Sequence, residues 1–279
     1  MRWCLNILPC VLGALCLAGL SGCGSSSATG AAAAADRTEK ASCPFPSGAT
    51  LEIESQNGSV VITGQEGAEC KLLAGIRVKA ASEKQSKELA GKVKVNLKSA
   101  NGKVIVKVDR PAALPDQLVT VNLDLAVPMQ ARLDVKNENG GMEIVKIAGP
   151  IAARSANGSI HVKDCSGRIE ARTQNGAISC SDIQGDCDLS ADNGRVTVSY
   201  ARNAPGNRNM KVVSQNGGID FTGPPAMSVK AEALARNGTV STALPLKVSG
   251  LFDKRLRGTI GKGEGRLSLE TANGSIKLQ

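Results

Sequence analysis

The chain has 279 residues, a formal charge of +9 and 42% hydrophobic residues, but only 2% aromatic residues. A chain of that length is enough for one domain or two joined lobes. The shortage of rings all but excludes the stacking platforms that carbohydrate and single-stranded nucleic-acid sites generally use.

The chain begins MRWCLNILPCVLGALCLAGLSGC. Arg2 followed by an apolar run to Leu20, broken by Asn6 and Pro9, is short for a membrane span and reads as a secretory signal over residues 1–22. Its end, Leu20-Ser21-Gly22-Cys23, resembles the bacterial lipobox. The resemblance implies that Cys23 is lipidated and becomes the first residue. Two or more acyl chains, at about 0.8 kcal/mol per buried CH₂, give stable anchoring. In Gram-negative lipoproteins an Asp after the lipidated Cys commonly signals inner-membrane retention. Gly24 stands there, so the resemblance implies outer-membrane sorting. Residues 23–43 are small and polar without a period, which predicts a flexible lipidated tether.

Residues 44–135 read as a β-rich N-terminal cap with one short helix. Strands are predicted on both sides of Asn57-Gly58 and over CKLLAGIRVKA. SEKQSKELAG predicts the helix, with Ser82 as N-cap and Gly91 as stop. KVKVNLKSANGKVIVKVD alternates cleanly about Asn101-Gly102 and predicts a hairpin, and LVTVNLDLAVP a longer strand ending at Pro128.

From residue 136 to 279 a beat appears. Gly140, Gly149, Gly158, Gly167, Gly176, Gly185 and Gly194 are nine residues apart, and Asn139, Asn157, Asn175 and Asn193 precede alternate ones, so the true repeat is eighteen. The second and fourth residues after each Gly are apolar or small, as in Ile160/Val162 and Ile178/Cys180, with polar residues between. That is a strand with one buried face. In the Asn-led halves the phase slips by one at Ile147, Cys165 and Ile183, which predicts a corner. Asn-Gly between alternating strands also suits an antiparallel meander, but a straight strand would keep its alternation. A calcium-binding nonapeptide roll needs more glycines and a regular Asp. The favoured architecture is all-β: a parallel β-solenoid of eighteen-residue coils, about 4.8 Å apart, continuous with the cap. Asn139, Asn157, Asn175 and Asn193 would stack at one corner, with Gly there to take a positive φ.

After Tyr200 the beat loosens at ARNAPGNRN and returns at Asn216-Gly217, Asn237-Gly238 and Asn273-Gly274. Gly258-Thr259-Ile260-Gly261-x-Gly263, Leu267-Ser268-Leu269 and Asn273-Gly274-Ser275-Ile276, with VNLDLAVPMQARLDVKNENG, resemble the bacterial putative-adhesin domain. That family is often found on envelope proteins, and its function is unknown. The resemblance spans about Leu51 to Leu278. It implies a β-solenoid and supplies no catalytic residues.

The residues themselves point to no catalyst, metal or cofactor. His161, the single histidine, stands at an outward position beside Lys163 without a neighbouring nucleophile, and GTIGKGEG lacks the order of a phosphate loop. Cys43 and Cys70 flank the first Asn-Gly unit and are a possible disulfide. Cys180 and Cys187 occupy inward positions at which Val162 and Ile169 serve elsewhere, so they read first as small hydrophobes, with pairing across the core as an alternative. The leading expectation is a non-enzymatic, lipid-anchored envelope protein for structural, adhesive or protein-protein contacts. Its partners would be the membrane, anionic envelope polymers through a dispersed basic charge, or another envelope protein, and not nucleic acid. A polysaccharide-acting enzyme using Lys163, Arg168 and Arg172, or an envelope sensor, are the alternatives.

Overall fold

At every Asn-Gly except Asn101-Gly102 the chain leaves one sheet and enters another, and this step repeats through the described part of the molecule. The computed structural model describes residues 33–111, 117–252 and 254–279, so the signal segment and Cys23 lie outside the described residues. The N-terminal elements are β1 (Ala33–Pro44), β2 (Thr50–Asn57), β3 (Val60–Gln65), β4 (Glu69–Ala80), α1 (Glu83–Lys92), β5 (Lys94–Ala100), β6 (Lys103–Asp109) and β7 (Leu118–Pro128). Strands then come in pairs: β8 (Arg132–Asn139) and β9 (Met142–Val145), β10 (Ile151–Asn157) and β11 (Ile160–Lys163). These are followed by β12 (Ile169–Asn175) and β13 (Ile178–Ile183), then β14 (Cys187–Asn193) and β15 (Val196–Tyr200). The C-terminal third holds β16 (Asn209–Asn216), β17 (Ile219–Thr222), β18 (Val229–Asn237), β19 (Val240–Thr242), β20 (Lys247–Phe252), β21 (Arg255–Ile260), β22 (Gly265–Asn273) and β23 (Ile276–Leu278).

Two sheets result, of eleven and twelve strands. The first runs β1-β4-β7-β3-β9-β11-β13-β15-β17-β23-β19 and the second β20-β21-β18-β22-β16-β14-β12-β10-β8-β2-β6-β5. The middle strands pair in parallel: Ile151 aligns with Ile169 and Ile169 with Cys187, while Ile160 aligns with Ile178 and Ile178 with Val196. An antiparallel meander is therefore excluded there. Inward side chains of both sheets merge into one core, in which Ile144, Ile160, Ile169 and Ile178 are fully buried. Burial of each such side chain is worth about 1.5–3 kcal/mol.

The phase slip has a backbone cause. Lys146, Asp164 and Asp182 turn into the left-handed region, with φ of 59°, 54° and 54°. The residue after each, Ile147, Cys165 or Ile183, then points inward again. At the Asn-Gly corner the reason for glycine differs from the sequence expectation. Gly140 and Gly176 do take positive φ, 128° and 152°, but the shared constraint is steric. A Cβ on Gly158 would stand 2.0 Å from the Gly140 carbonyl oxygen, and one on Gly194 1.9 Å from that of Gly176. The corner backbones stack too closely for any side chain.

Several boundaries move. Residues 33–43, expected as tether, form most of β1, which pairs antiparallel with β4 along its whole length. The edge of β4 supplies the ladder that the local sequence does not ask for, and β1 covers an otherwise open edge. The first Asn-Gly unit belongs to the parallel stack rather than to the cap: β2 pairs with β8 and β3 with β9, both parallel. The cap proper is β4, α1, β5, β6 and β7, an insertion between the first unit and the rest. Its helix forms as expected, with the Ser82 side chain accepting from the Gln85 N–H. It runs through Gly91 to Lys92 and ends at Val93, because Val93 turns extended to enter β5. Ser86 Oγ donates to the Ala33 carbonyl at 2.6 Å, tying helix to β1. β5 and β6 are the predicted hairpin, with Asn101 and Gly102 both at positive φ, 52° and 72°.

Candidate functional site

The four asparagines expected at one corner are there as a hydrogen-bonded column. Asn157 Nδ2 donates to Asn139 Oδ1 at 2.9 Å, Asn175 to Asn157 at 2.9 Å and Asn193 to Asn175 at 3.0 Å. The column continues with Asn216 to Asn193 at 2.8 Å, Asn273 to Asn216 at 2.8 Å and Asn237 to Asn273 at 2.9 Å. These side chains are solvent-exposed, so each bond contributes at the low end of about 0.5–1.5 kcal/mol.

Behind this column lies a second one, two residues earlier and buried, which the repeat had not led us to expect. Thr173 Oγ1 donates to the Gly158 carbonyl at 2.9 Å, Ser214 Oγ to that of Gly194 at 3.0 Å and Thr271 Oγ1 to that of Gly217 at 2.8 Å. Asn137 Nδ2 does the same to Gly58 at 2.9 Å and also reaches Gly140 at 3.0 Å. Ser155, next to Asn137 in register, has a buried hydroxyl with no partner among the described residues. The signal was present as the recurring Ser/Thr-x-Asn-Gly.

The register sets Cys43 directly opposite Cys70, with the thiols within hydrogen-bonding reach. Burial, and then the neighbouring Cys43, push the Cys70 thiol up to about 12. Burial likewise raises Cys180, and it lifts Cys187 to about 11. Cys180 stacks between Val162 and Val198, and Cys187 between Ile169 and Met210. Their neighbours are those of core aliphatics. Tyr200 closes this region, its hydroxyl donating to the Gly185 carbonyl at 2.9 Å.

Lys163, Arg168 and Arg172 do not converge. Lys163 projects from the first sheet, while Arg168 and Arg172 flank and belong to β12 in the second. His161 is exposed between Glu143 and Ser179 in register.

The second sheet instead carries charge in rows across its outer face. Glu52, Asp134, Ala152, Glu170 and Asp188 align strand by strand in one row. The row two residues on holds Glu54, Lys136, Arg154 and Arg172. Ion pairs tie the rows, diagonally from Arg154 to Asp134 at 3.2 Å and to Glu170 at 3.5 Å, and along β12 from Arg172 to Glu170 at 3.1 Å. Like charges on adjacent strands repel, and the diagonal pairs offset this. Toward β18 the pattern changes. A groove of about 800 Å³ there is lined by Arg168, Lys211, Lys230 and Arg266, with Asp186 and Asp188 as nearby carboxylates. Such a face offers electrostatic and hydrogen-bonding contact.

No family model matches the sequence, and no curated protein matches it. Solved structures overlap it along most of its length. One from Clostridium sporogenes ATCC 15579, described as a "putative cell adhesion protein", covers 87% of this chain and 99% of its own, at 12% identity and TM-score 0.34. A "putative adhesin" from Bacteroides fragilis NCTC 9343 covers 87% and 97%, at 10% identity and TM-score 0.46. Another from Parabacteroides distasonis ATCC 8503 covers 87% and 97%, at 8% identity and TM-score 0.33. At these identities and scores the likeness carries no argument about what this chain does.

Proposed function

We propose that this chain is an exported envelope protein, held to a membrane through lipid on Cys23, whose stacked strands present surfaces for adhesive or structural contact rather than for catalysis. The stack is read as a β-solenoid, each eighteen-residue coil crossing both sheets once. The observation that carries the reading is the outer face of the second sheet: a broad strand array with ordered rows of opposite charge. Rigid strands fix the spacing of those charges, which suits repeated contacts with an extended partner. The leader and Leu20-Ser21-Gly22-Cys23 supply the address. Outer-membrane placement follows from Gly24 by the same resemblance.

In an oxidising envelope the Cys43–Cys70 pair closes as a disulfide by exchange with a disulfide donor, which leaves as the dithiol. This bond would fasten β1, and with it the anchored end, to the sheet. Labelled palmitate supplied to growing cells tests the address. Wild-type protein takes up label and fractionates with membranes, and Cys23→Ser takes up none and is released. Membrane-free wild-type protein without label would overturn it. Peptide mapping without reduction reads the Cys43–Cys70 link directly.

A further inference from the structure

On the outer face of the second sheet, where β22 lies between β16 and β18, the charge rows lose their balance. Arg168, Lys211, Lys230 and Arg266 line one groove, and none of them forms an ion pair among the described residues. Three carboxylates share the lining: Asp186 accepts the Asn209 N–H at 3.1 Å, Glu232 is held by Arg257 at 2.8 Å, and Asp188 stands opposite Lys211 in register, so five cations, Arg257 included, face three anions. Lys230 and Arg266 are register neighbours, two cations side by side on strands about 4.8 Å apart. Like charges so placed are unfavourable without an anion between them. The stem of Lys230 runs past Gly263, where a Cβ would stand 3.3 Å from Lys230 Cγ. Thr259, Ser268 and Asn209 supply hydroxyl and amide groups along the same wall.

We propose that this groove binds a linear acidic polysaccharide, a deepening that rests on the contact function above. Lys230, Arg266, Lys211 and Arg168 take the carboxylates of successive sugars, and Thr259, Ser268 and Asn209 bond their hydroxyls. An acidic chain fits better than a neutral one because no ring lines the groove, so recognition has to come from charge and hydrogen bonds. It fits better than a lipid surface because the exposed large hydrophobics among the described residues are Leu73, Ile105, Leu118 and Met129. All four lie on the N-terminal elements β4, β6 and β7 or directly after them, and none lies at the groove. Attraction of this kind between exposed charges is screened by salt.

The test is titration calorimetry of the full-length protein with polygalacturonate, in low and high salt, beside dextran, polyphosphate and phosphatidylglycerol vesicles. Polygalacturonate is expected to bind in low salt and weaken in high salt, with dextran silent. The Lys230→Glu/Arg266→Glu double variant is expected to lose at least ~10-fold in affinity. Its thermal transition should be unchanged, and Lys163→Glu on the opposite sheet should bind as wild type. Equal binding by the double variant, stronger binding of vesicles or polyphosphate than of polygalacturonate, or silence toward polygalacturonate overturns the assignment. If the double variant does not fold, Arg168→Glu and Lys211→Glu, each alone, carry the same expectation of weaker binding, and wild-type affinity in both overturns it. Protein that stays in the envelope fraction but ignores polygalacturonate leaves the contact function standing. Protein found in the cytosol that binds it leaves the groove standing instead.

Discussion

Between residues 132 and 200 the order of strands along each sheet is their order along the chain. Between 209 and 279 it is not: β22 and β23, last in sequence, lie between β16–β17 and β18–β19. Both regions use the same corner, and the asparagine column passes through it without interruption, from Asn216 to Asn273 and then to Asn237. Chemically equal corners cannot choose their own neighbours. In the middle region short connections leave no alternative to the next unit. In the C-terminal region the loops decide. The 201–208 insertion accepts from Ser228 at Gly206 and from Arg266 at Arg208, and Gly265 N–H donates to Ser228. One edge of β18 is already taken by antiparallel β21, so its other edge and that of β16 share β22.

The largest break in this comparison is removal of residues 265–279. In sequence terms it trims an end, but in the structure it takes a strand out of the interior of each sheet. We expect loss of the cooperative thermal transition by circular dichroism. Survival of the transition with only a modest shift would mean that β16 and β18 can close on each other.

Next come the stacked glycines. Gly158→Ala in the middle region and Gly217→Ala at the junction would place a Cβ 2.0 Å and 2.1 Å from the carbonyl oxygen below. Backbone blocks both, so each should cost about 3 kcal/mol or more by urea denaturation. Equal costs would show the two regions obeying one stacking rule. A much smaller cost at Gly217 would show the junction to be looser. Gly91→Ala, in helix α1 with open space around it, should gain about 0.4–1 kcal/mol.

The hydrogen-bond columns give smaller effects. Asn175→Ala removes a donor and an acceptor in mid-column and should cost about 1–2 kcal/mol, while Asn237→Ala, at the end, should cost about half as much. In the buried column Thr173→Val should cost about 1 kcal/mol, while Ser155→Ala, whose hydroxyl has no partner among the described residues, should be neutral or slightly stabilising.

The last effect, confined to alkaline solution, is on pH dependence under reducing conditions. Cys70 and Cys187 ordinarily ionise near 9.0 and are raised to about 12 and about 11 in the folded protein. The folded state therefore holds protons that the unfolded chain loses. Their contribution is fully present below about pH 9 and is lost as pH rises toward 11–12. A urea midpoint that stays level through that range would contradict it.

Much of the molecule was legible. Ile160 and Ile178 align, the hairpin turns at Asn101-Gly102, and the phase slips at Cys165 and Ile183 mark real corners. Each is set by neighbours a few residues away. Strand β1 was not legible, because AAADRTEKASCP has little strand character and pairs only where β4 offers an edge. The groove was not legible either. Lys211, Lys230 and Arg266 come from three strands and Arg168 from the residue before β12, and their adjacency depends on β22 lying beside both β16 and β18.

By itself the sequence determined the strands of the Asn-Gly units, the face each one buries and the places where the chain turns, because these follow from local alternation and from the room at each corner. Only the tertiary structure decided which strand lies beside which in the C-terminal third, and so which charges share a groove. The repeated Asn-Gly corners offer identical bonds to any neighbour, and the choice among them falls to loops and edges that act across the whole chain.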